Sequence, residues 1–261
     1  MNLFEVNFES TELGHRTSLN VLMPTLDDTH ETTRNTKTLY LLHGFSDDHT
    51  GWLRRTKIEY YAREFNLAVV MPNAHNSFYA NMRHGHNYLD HIALEVPKFI
   101  QKTFHLSARR ENNFVAGLSM GGYGAFKIAL NYPERFSAAA SLSGVLDIQL
   151  AVEENQEEPE TRFVLPMQLA LGDPINVTGT QDDIPWLLKK VNPQKTKPRL
   201  YQCCGTEDDL YQNNLSIHEL IQTLDFEYFY EESPGDHNWA FWDTNIKKVL
   251  DWLPLEKFDS V

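Results

Sequence analysis

A mostly parallel β-sheet covered by helices on both faces is the fold class this sequence predicts, and three observations predict it. The segments "TLYLLHG" (Thr38–Gly44) and "LAVVMP" (Leu67–Pro72) are continuous apolar runs, as expected of strands buried on both faces of a parallel sheet. Such runs alternate with stretches of helical periodicity along most of the chain, the ordering of an α/β protein. The apolar run Phe114–Ala116 then passes through a glycine-flanked serine into "YGAFKIALNYP", which reads as a helix stopped by Pro133. With 261 residues and 41% hydrophobic content the chain can bury a full core, and a single domain over 1–261 is expected.

From the N-terminus, Phe4, Val6 and Phe8 alternate with Glu5, Asn7 and Glu9, and Leu19, Val21 and Met23 repeat the alternation, so an antiparallel pair opens the chain. Ile58, Ala62 and Phe65 place a helix between the two apolar runs. Ile92, Val96, Phe99 and Thr103 place a second, in which Pro97 marks a first-turn position or a kink. Beyond the serine turn the alternation continues with "FSAAASLSG" and "RLYQCCG" as strands, "LSIHELIQTL" as a helix, "FEYFYEE" as a strand and "NIKKVLDWL" as a closing helix. One stretch, about 147–195, breaks the rhythm with the acidic "EENQEEPE", several prolines and scattered apolar residues such as Phe163, Leu165, Met167 and Leu169. Long excursions inside compact domains are usually functional, so it reads as a cap-like insertion over the strand ends.

A net charge of −13 repels phosphate backbones and anionic lipid surfaces, which argues against nucleic-acid or membrane partners and for a small neutral or cationic substrate. The N-terminus lacks the pattern of a signal peptide, and no apolar run approaches the ~20 residues of a membrane span, so a cytoplasmic protein is expected. The two cysteines, Cys203 and Cys204, are adjacent at the end of a strand and read as buried thiols. His84, His86 and His91 cluster in "RHGHNYLDH", but the sequence places no further ligand beside them, and no metal is expected.

The chemistry starts at Gly117, Ser119 and Gly121, which spell G-x-S-x-G. A strand before and a helix after are the context in which that motif forms a sharp turn exposing the serine hydroxyl. A serine nucleophile needs a base and an orienting acid, and in this architecture they follow in the order Ser, then Asp or Glu, then His. "GTEDDLY" places Asp208 and Asp209 in the loop after one strand, and "ESPGDHNWAFW" places His237 in the loop after the next. Asp147, after an earlier strand, is a reserve acid. All these loops open on one edge of a parallel sheet. For the oxyanion, the Met120 amide follows the nucleophile, and in "LLHGFSDDHTGW" Gly44 lets the Phe45 amide turn inward. Trp52, close behind that loop, is a candidate substrate-pocket residue, whereas Tyr79, Tyr88, Trp239 and Trp242 read as core.

The set "LLHGFSDDHTGWL", "GLSMGGYGAF", "CGTEDDLY" and "PGDHNWAFW" resembles the esterase D and S-formylglutathione hydrolase group of α/β-hydrolases, and is most similar to its small bacterial branch, the tributyrin esterases. The resemblance spans nearly the whole chain. It implies an α/β-hydrolase fold, a triad of Ser119, Asp208 and His237, oxyanion amides at Phe45 and Met120, and hydrolysis of short acyl esters through an acyl-enzyme, with no cofactor. Among the neighbouring acids it favours Asp208, three residues after Gly205. The "HGF" of the oxyanion loop departs from the formylglutathione enzymes, which argues against a glutathione thioester as the main substrate. Deacetylation of sugar esters and acyl transfer share the same machinery, and the sequence leaves both open, as it does self-association. A binding module that had lost catalysis is expected to have a broken Ser/Asp/His set, and here all three residues are present.

Overall fold

The structure is a computed structural model that describes residues 1–25, 36–154 and 163–257. Most of the "EENQEEPE" tract lies outside the described residues. Eight strands form one sheet: β1 (Asn2–Ser10), β2 (His15–Met23), β3 (Thr38–Leu42), β4 (Ala68–Pro72), β5 (Asn113–Leu118), β6 (Ala138–Leu142), β7 (Arg199–Gly205) and β8 (Tyr228–Ser233). Their spatial order is β1-β2-β4-β3-β5-β6-β7-β8. The opening pair is antiparallel, as its alternation predicts, and β2 joins β4 antiparallel, while every pair from β4 to β8 is parallel.

The period-two rule sorts the strands' side chains between two cores. Tyr40, Leu42, Ala68, Val70 and Val115 face one side, and Leu39, Leu41, Val69, Met71, Phe114 and Ala116 face the other. Helices α1 (Gly51–Arg55) and α2 (Ile58–Arg63) follow β3, and α3 (Tyr88–Asp90) and α4 (Val96–Phe104) follow β4. The remaining helices are α5 (Met120–Asn131), α6 (Ile148–Glu154), α7 (Val164–Leu171), α8 (Ile184–Val191), α9 (Tyr211–Gln222) and α10 (Trp239–Trp252). Ile100, Phe126, Leu187 and Ile217 bring α4, α5, α8 and α9 to the first face, whereas Ile58, Ile246 and Val249 bring α2 and α10 to the second. Pro97 sits in the first turn of α4, directly after a π-helical turn at His91–Glu95. The closing helix starts at Trp239, six residues before the expected Asn245, because the Asn238 side chain caps it by accepting the Phe241 N–H at 3.1 Å.

The insertion after β6 carries α6, α7 and α8. It is tied down along the flank of α5: the Tyr123 hydroxyl donates to Asp182 O at 2.8 Å and Asn131 Nδ2 to Gln181 O at 2.9 Å. Between them lies Lys127, whose side chain has no solvent exposure. Its ammonium donates to Phe78 O at 2.7 Å and Asp182 Oδ1 at 2.9 Å, and stands 4.6 Å from the centre of the Tyr123 ring. One buried cation thus joins α5, the loop after β4 and the insertion. Truncating it strands the Asp182 carboxylate and leaves Phe78 O without its donor. Lys127→Ala is expected to lower stability by about 3–5 kcal/mol, read as a lower urea midpoint.

Candidate active site

The sheet's order turns at β3: the chain moves outward to β4 and then returns to place β5 on the opposite side. In parallel sheets the crevice at such a switch point, beyond the carboxyl ends of the strands, is where ligands bind. The loops after β3 and β5 flank it here. At the end of β5, Ser119 takes φ +53° and ψ −120°, a conformation that side chains other than glycine rarely adopt. The turn is held by the Ser119 N–H, which donates to Leu142 O at 2.9 Å, and by Ser119 O, which accepts the Tyr123 N–H at 3.1 Å. It also needs the motif's glycines, since a β-carbon on Gly117 would stand 2.3 Å from Gly121 O. Ser119 is left half-buried at the crevice.

The loops after β7 and β8 bring the other two candidates to it. His237 Nε2 lies 2.9 Å from Ser119 Oγ, and His237 Nδ1 lies 2.9 Å from Asp208 Oδ2 and 3.0 Å from Oδ1. An ionised carboxylate only accepts, so Nδ1 carries the proton and Nε2 accepts from the serine hydroxyl. The Asp208 side chain is fully buried and His237 is 29% exposed. Burial alone would raise the Asp208 carboxyl, but hydrogen bonds from His237 and from the Leu210 N–H, at 2.8 Å, outweigh it and hold the group below its ordinary value. Asp209 is exposed, and Asp147 is engaged elsewhere, accepting the Leu150 N–H at 3.0 Å at the start of α6. The structure therefore joins Asp208, and neither alternative acid, to His237. Trp242 sets its ring edge-on to the imidazole at 4.9 Å.

The loop after β3 passes close to the serine: a β-carbon on Gly44 would lie 3.6 Å from Ser119 Cβ. Phe45 follows directly on that approach, and the Met120 N–H, as the first of α5, has no intrahelical partner. The Phe45 ring is bracketed by Phe78 at 5.9 Å and Phe163 at 4.7 Å between ring centres. Beneath it sits His43, which sequence reasoning passed over as the end of a strand. Buried to 1% exposure, it donates from Nδ1 to Gly44 O at 2.7 Å and accepts the Ala74 N–H on Nε2 at 2.9 Å, while Tyr79 OH donates to His43 O at 2.9 Å. The one local signal for it was a polar residue at the end of an otherwise apolar run.

Trp52 is a correction. It is 1% exposed, its indole N–H donates to Leu42 O at 2.9 Å and its ring meets Trp239 at 5.4 Å, so it packs in the core on the second face of the sheet rather than lining an open pocket. Of the clustered histidines, His91 is buried against Ser10 and Glu95, and His84 and His86 are exposed. Among the described residues no three His, Cys, Asp or Glu side chains gather as a metal site, and no helix is long and apolar enough to cross a membrane. Cys203 and Cys204 are both buried free thiols.

The chain matches the Esterase family model over residues 10–253. A fluorophosphonate-binding serine hydrolase, FphF of Staphylococcus aureus, solved with substrate bound, superposes with a TM-score of 0.87 at 39% identity, over 97% of this chain and 98% of that one. The S-formylglutathione hydrolase FrmB of the same organism, solved as apoenzyme, gives 0.84 at 38% identity, over 97% and 99%. An acetyl esterase of Caldicellulosiruptor saccharolyticus is 29% identical over 97% of this chain and 98% of its own.

His43 links the site to pH. Burial, the largest influence, lowers its affinity for protons, and an added proton on Nε2 would face the Ala74 N–H. The unfolded chain takes up that proton below the ordinary value of 6.5 while the folded protein resists it, so stability is full above that value and falls as the pH drops. The urea midpoint at pH 5 is expected to lie below that at pH 7.5, and His43→Gln is expected to shrink the difference.

Proposed function

The chain belongs to the Esterase family, as a serine carboxylesterase of the α/β-hydrolase fold, and from that premise we propose that Ser119, His237 and Asp208 carry the reaction and that the substrates are small esters with short acyl groups. The observation that carries this reading is the 2.9 Å approach of His237 Nε2 to Ser119 Oγ. As the Ser119 oxygen attacks the ester carbonyl, its proton passes to Nε2, and Asp208 stabilises the imidazolium so formed. The carbonyl oxygen gains negative charge and meets the Phe45 and Met120 amides, each such donor contributing on the order of 10²–10³ in rate. The imidazolium then protonates the departing alcohol, leaving an acyl-Ser119 ester. Water, deprotonated by His237, hydrolyses that ester and restores the serine. Every proton is returned within the cycle, so the chemistry needs no cofactor. The free thiols of Cys203 and Cys204 suit a reducing, cytoplasmic setting.

Loss of Ser119 or His237 removes the whole relay, since its members act as a unit. Ser119→Ala and His237→Ala are each expected to cut ester turnover by several orders of magnitude, and Asp208→Asn to be far more damaging than Asp209→Asn. Fluorophosphonate should add to Ser119 and to no other residue, as read by intact mass and peptide mapping. Turnover in Ser119→Ala would defeat the reading.

The acyl preference draws on the acetyl esterase relative and on the charge of −13, which disfavours lipid interfaces. A buried CH₂ contributes about 0.8 kcal/mol only where apolar room receives it, so efficiency is expected to peak at roughly two to six acyl carbons. A p-nitrophenyl ester series tests this, and continued gain beyond about eight carbons would refute it. S-formylglutathione belongs in the same panel because FrmB is similar over 97% of this chain.

A further inference from the structure

Glu207 stands directly before Asp208, exposed to solvent and outside every step described above. Both its backbone and its side chain grip the loop that carries His237. The Glu207 N–H donates to Gly235 O at 3.0 Å, and the Gly235 N–H donates back to the Glu207 carboxylate at Oε2. The other oxygen, Oε1, accepts the Thr206 hydroxyl at 2.9 Å, while the Thr206 N–H donates to Ser233 O at 3.0 Å. The regular pairing of β7 with β8 ends where Gly205 lies opposite Ser233. Past that point Pro234 has no N–H to offer, and a carboxylate takes the place of the next backbone rung. These contacts join the acid loop to the histidine loop one residue from Asp208 and two from His237.

We propose that Glu207 is a positioning residue whose carboxylate locks the His237 loop against the Asp208 loop, keeping Nε2 within reach of Ser119 Oγ. The proposal rests on the assignment of Ser119, His237 and Asp208 given above. The hydrogen bond from the Gly235 amide is the main cause that holds the Glu207 carboxyl below its ordinary value, so the clamp stays ionised across the neutral range. Burial contributes little here. His237 is itself 29% exposed and its loop follows the last strand of the sheet, so the pairing of Glu207 with Gly235 is the tie that links it directly to the acid loop.

The test compares Glu207→Ala with Glu207→Gln in p-nitrophenyl acetate hydrolysis, with active sites counted by fluorophosphonate titration. A displacement of about 1 Å at a reacting group costs up to about 10²-fold in rate, so Glu207→Ala is expected to lose about 10- to 100-fold in kcat per titrated site with KM changed by less than about twofold. Glu207→Gln keeps an oxygen that accepts the Gly235 N–H and is expected to recover most of that loss. A Glu207→Ala kcat per titrated site within about twofold of the parent overturns the proposal, as does a Glu207→Gln variant no better than the alanine. Ser119→Ala run in parallel separates the two claims: turnover there defeats the triad assignment, whereas a silent Ser119→Ala beside a fully active Glu207→Ala defeats only the clamp.

Discussion

The left-handed backbone of Ser119 is the constraint on which the rest of the structure depends. Such a conformation costs of order 1–3 kcal/mol and persists only where its surroundings fix it. Here they do so from three sides: Leu142 O takes its N–H, the glycines of the motif let β5 and α5 meet without side chains between them, and α5 itself begins on the next residue. The same turn that leaves the hydroxyl at the crevice also makes Met120 the first residue of α5, because strand and helix part at that point.

Around this turn the protein assembles its site from polar groups buried beneath it. His43 braces the Gly44–Phe45 backbone from below with one ring nitrogen and holds the loop after β4 with the other. Lys127 anchors that second loop through Phe78 O, and Phe78 in turn packs beside Phe45. The loop bearing the candidate oxyanion amide is thus supported through a chain of contacts that ends two helical turns away, at an ion pair with the insertion. Such satisfied buried polar networks rigidify a site, and their cost when broken is correspondingly high.

Much of this was legible in the sequence, and the limits have physical causes. The strands were readable because runs such as Leu39–Leu42 and Val69–Met71 are apolar on both faces, and the sheet that buries them is parallel. Ser119, His237 and the Asp208–Asp209 pair were readable as a group because each follows a strand and parallel strands deliver their ends to one edge, whereas the choice of Asp208 within the pair came from the family resemblance. Trp52 was misplaced because nearness along the chain to the Phe45 loop says nothing about which side of the sheet a ring falls on; its indole turns back to Leu42 O. Of the insertion's helices, α7 was hidden because it is apolar nearly all round, whereas α8 carries a legible stripe at Ile184, Leu187, Leu188 and Val191 that the acidic and proline-rich surroundings obscured. His43, Lys127 and Glu207 escaped notice because their significance lies in partners 31, 55 and 28 residues distant.

The placement of His237 after β8 has a consequence for how the protein responds to heat. Ser119 follows a central strand paired on both sides, whereas His237 hangs from the last strand of the sheet, which has no strand beyond it among the described residues and whose side chains are half-buried or exposed. Native proteins open in pieces, and weakly covered edges open at lower free energy than interior strands. Fraying of β8 would carry the base away from a nucleophile that is still fully formed. Loss of activity on warming would then run ahead of global unfolding and reverse on cooling, with the central strands keeping their protection against amide hydrogen exchange throughout.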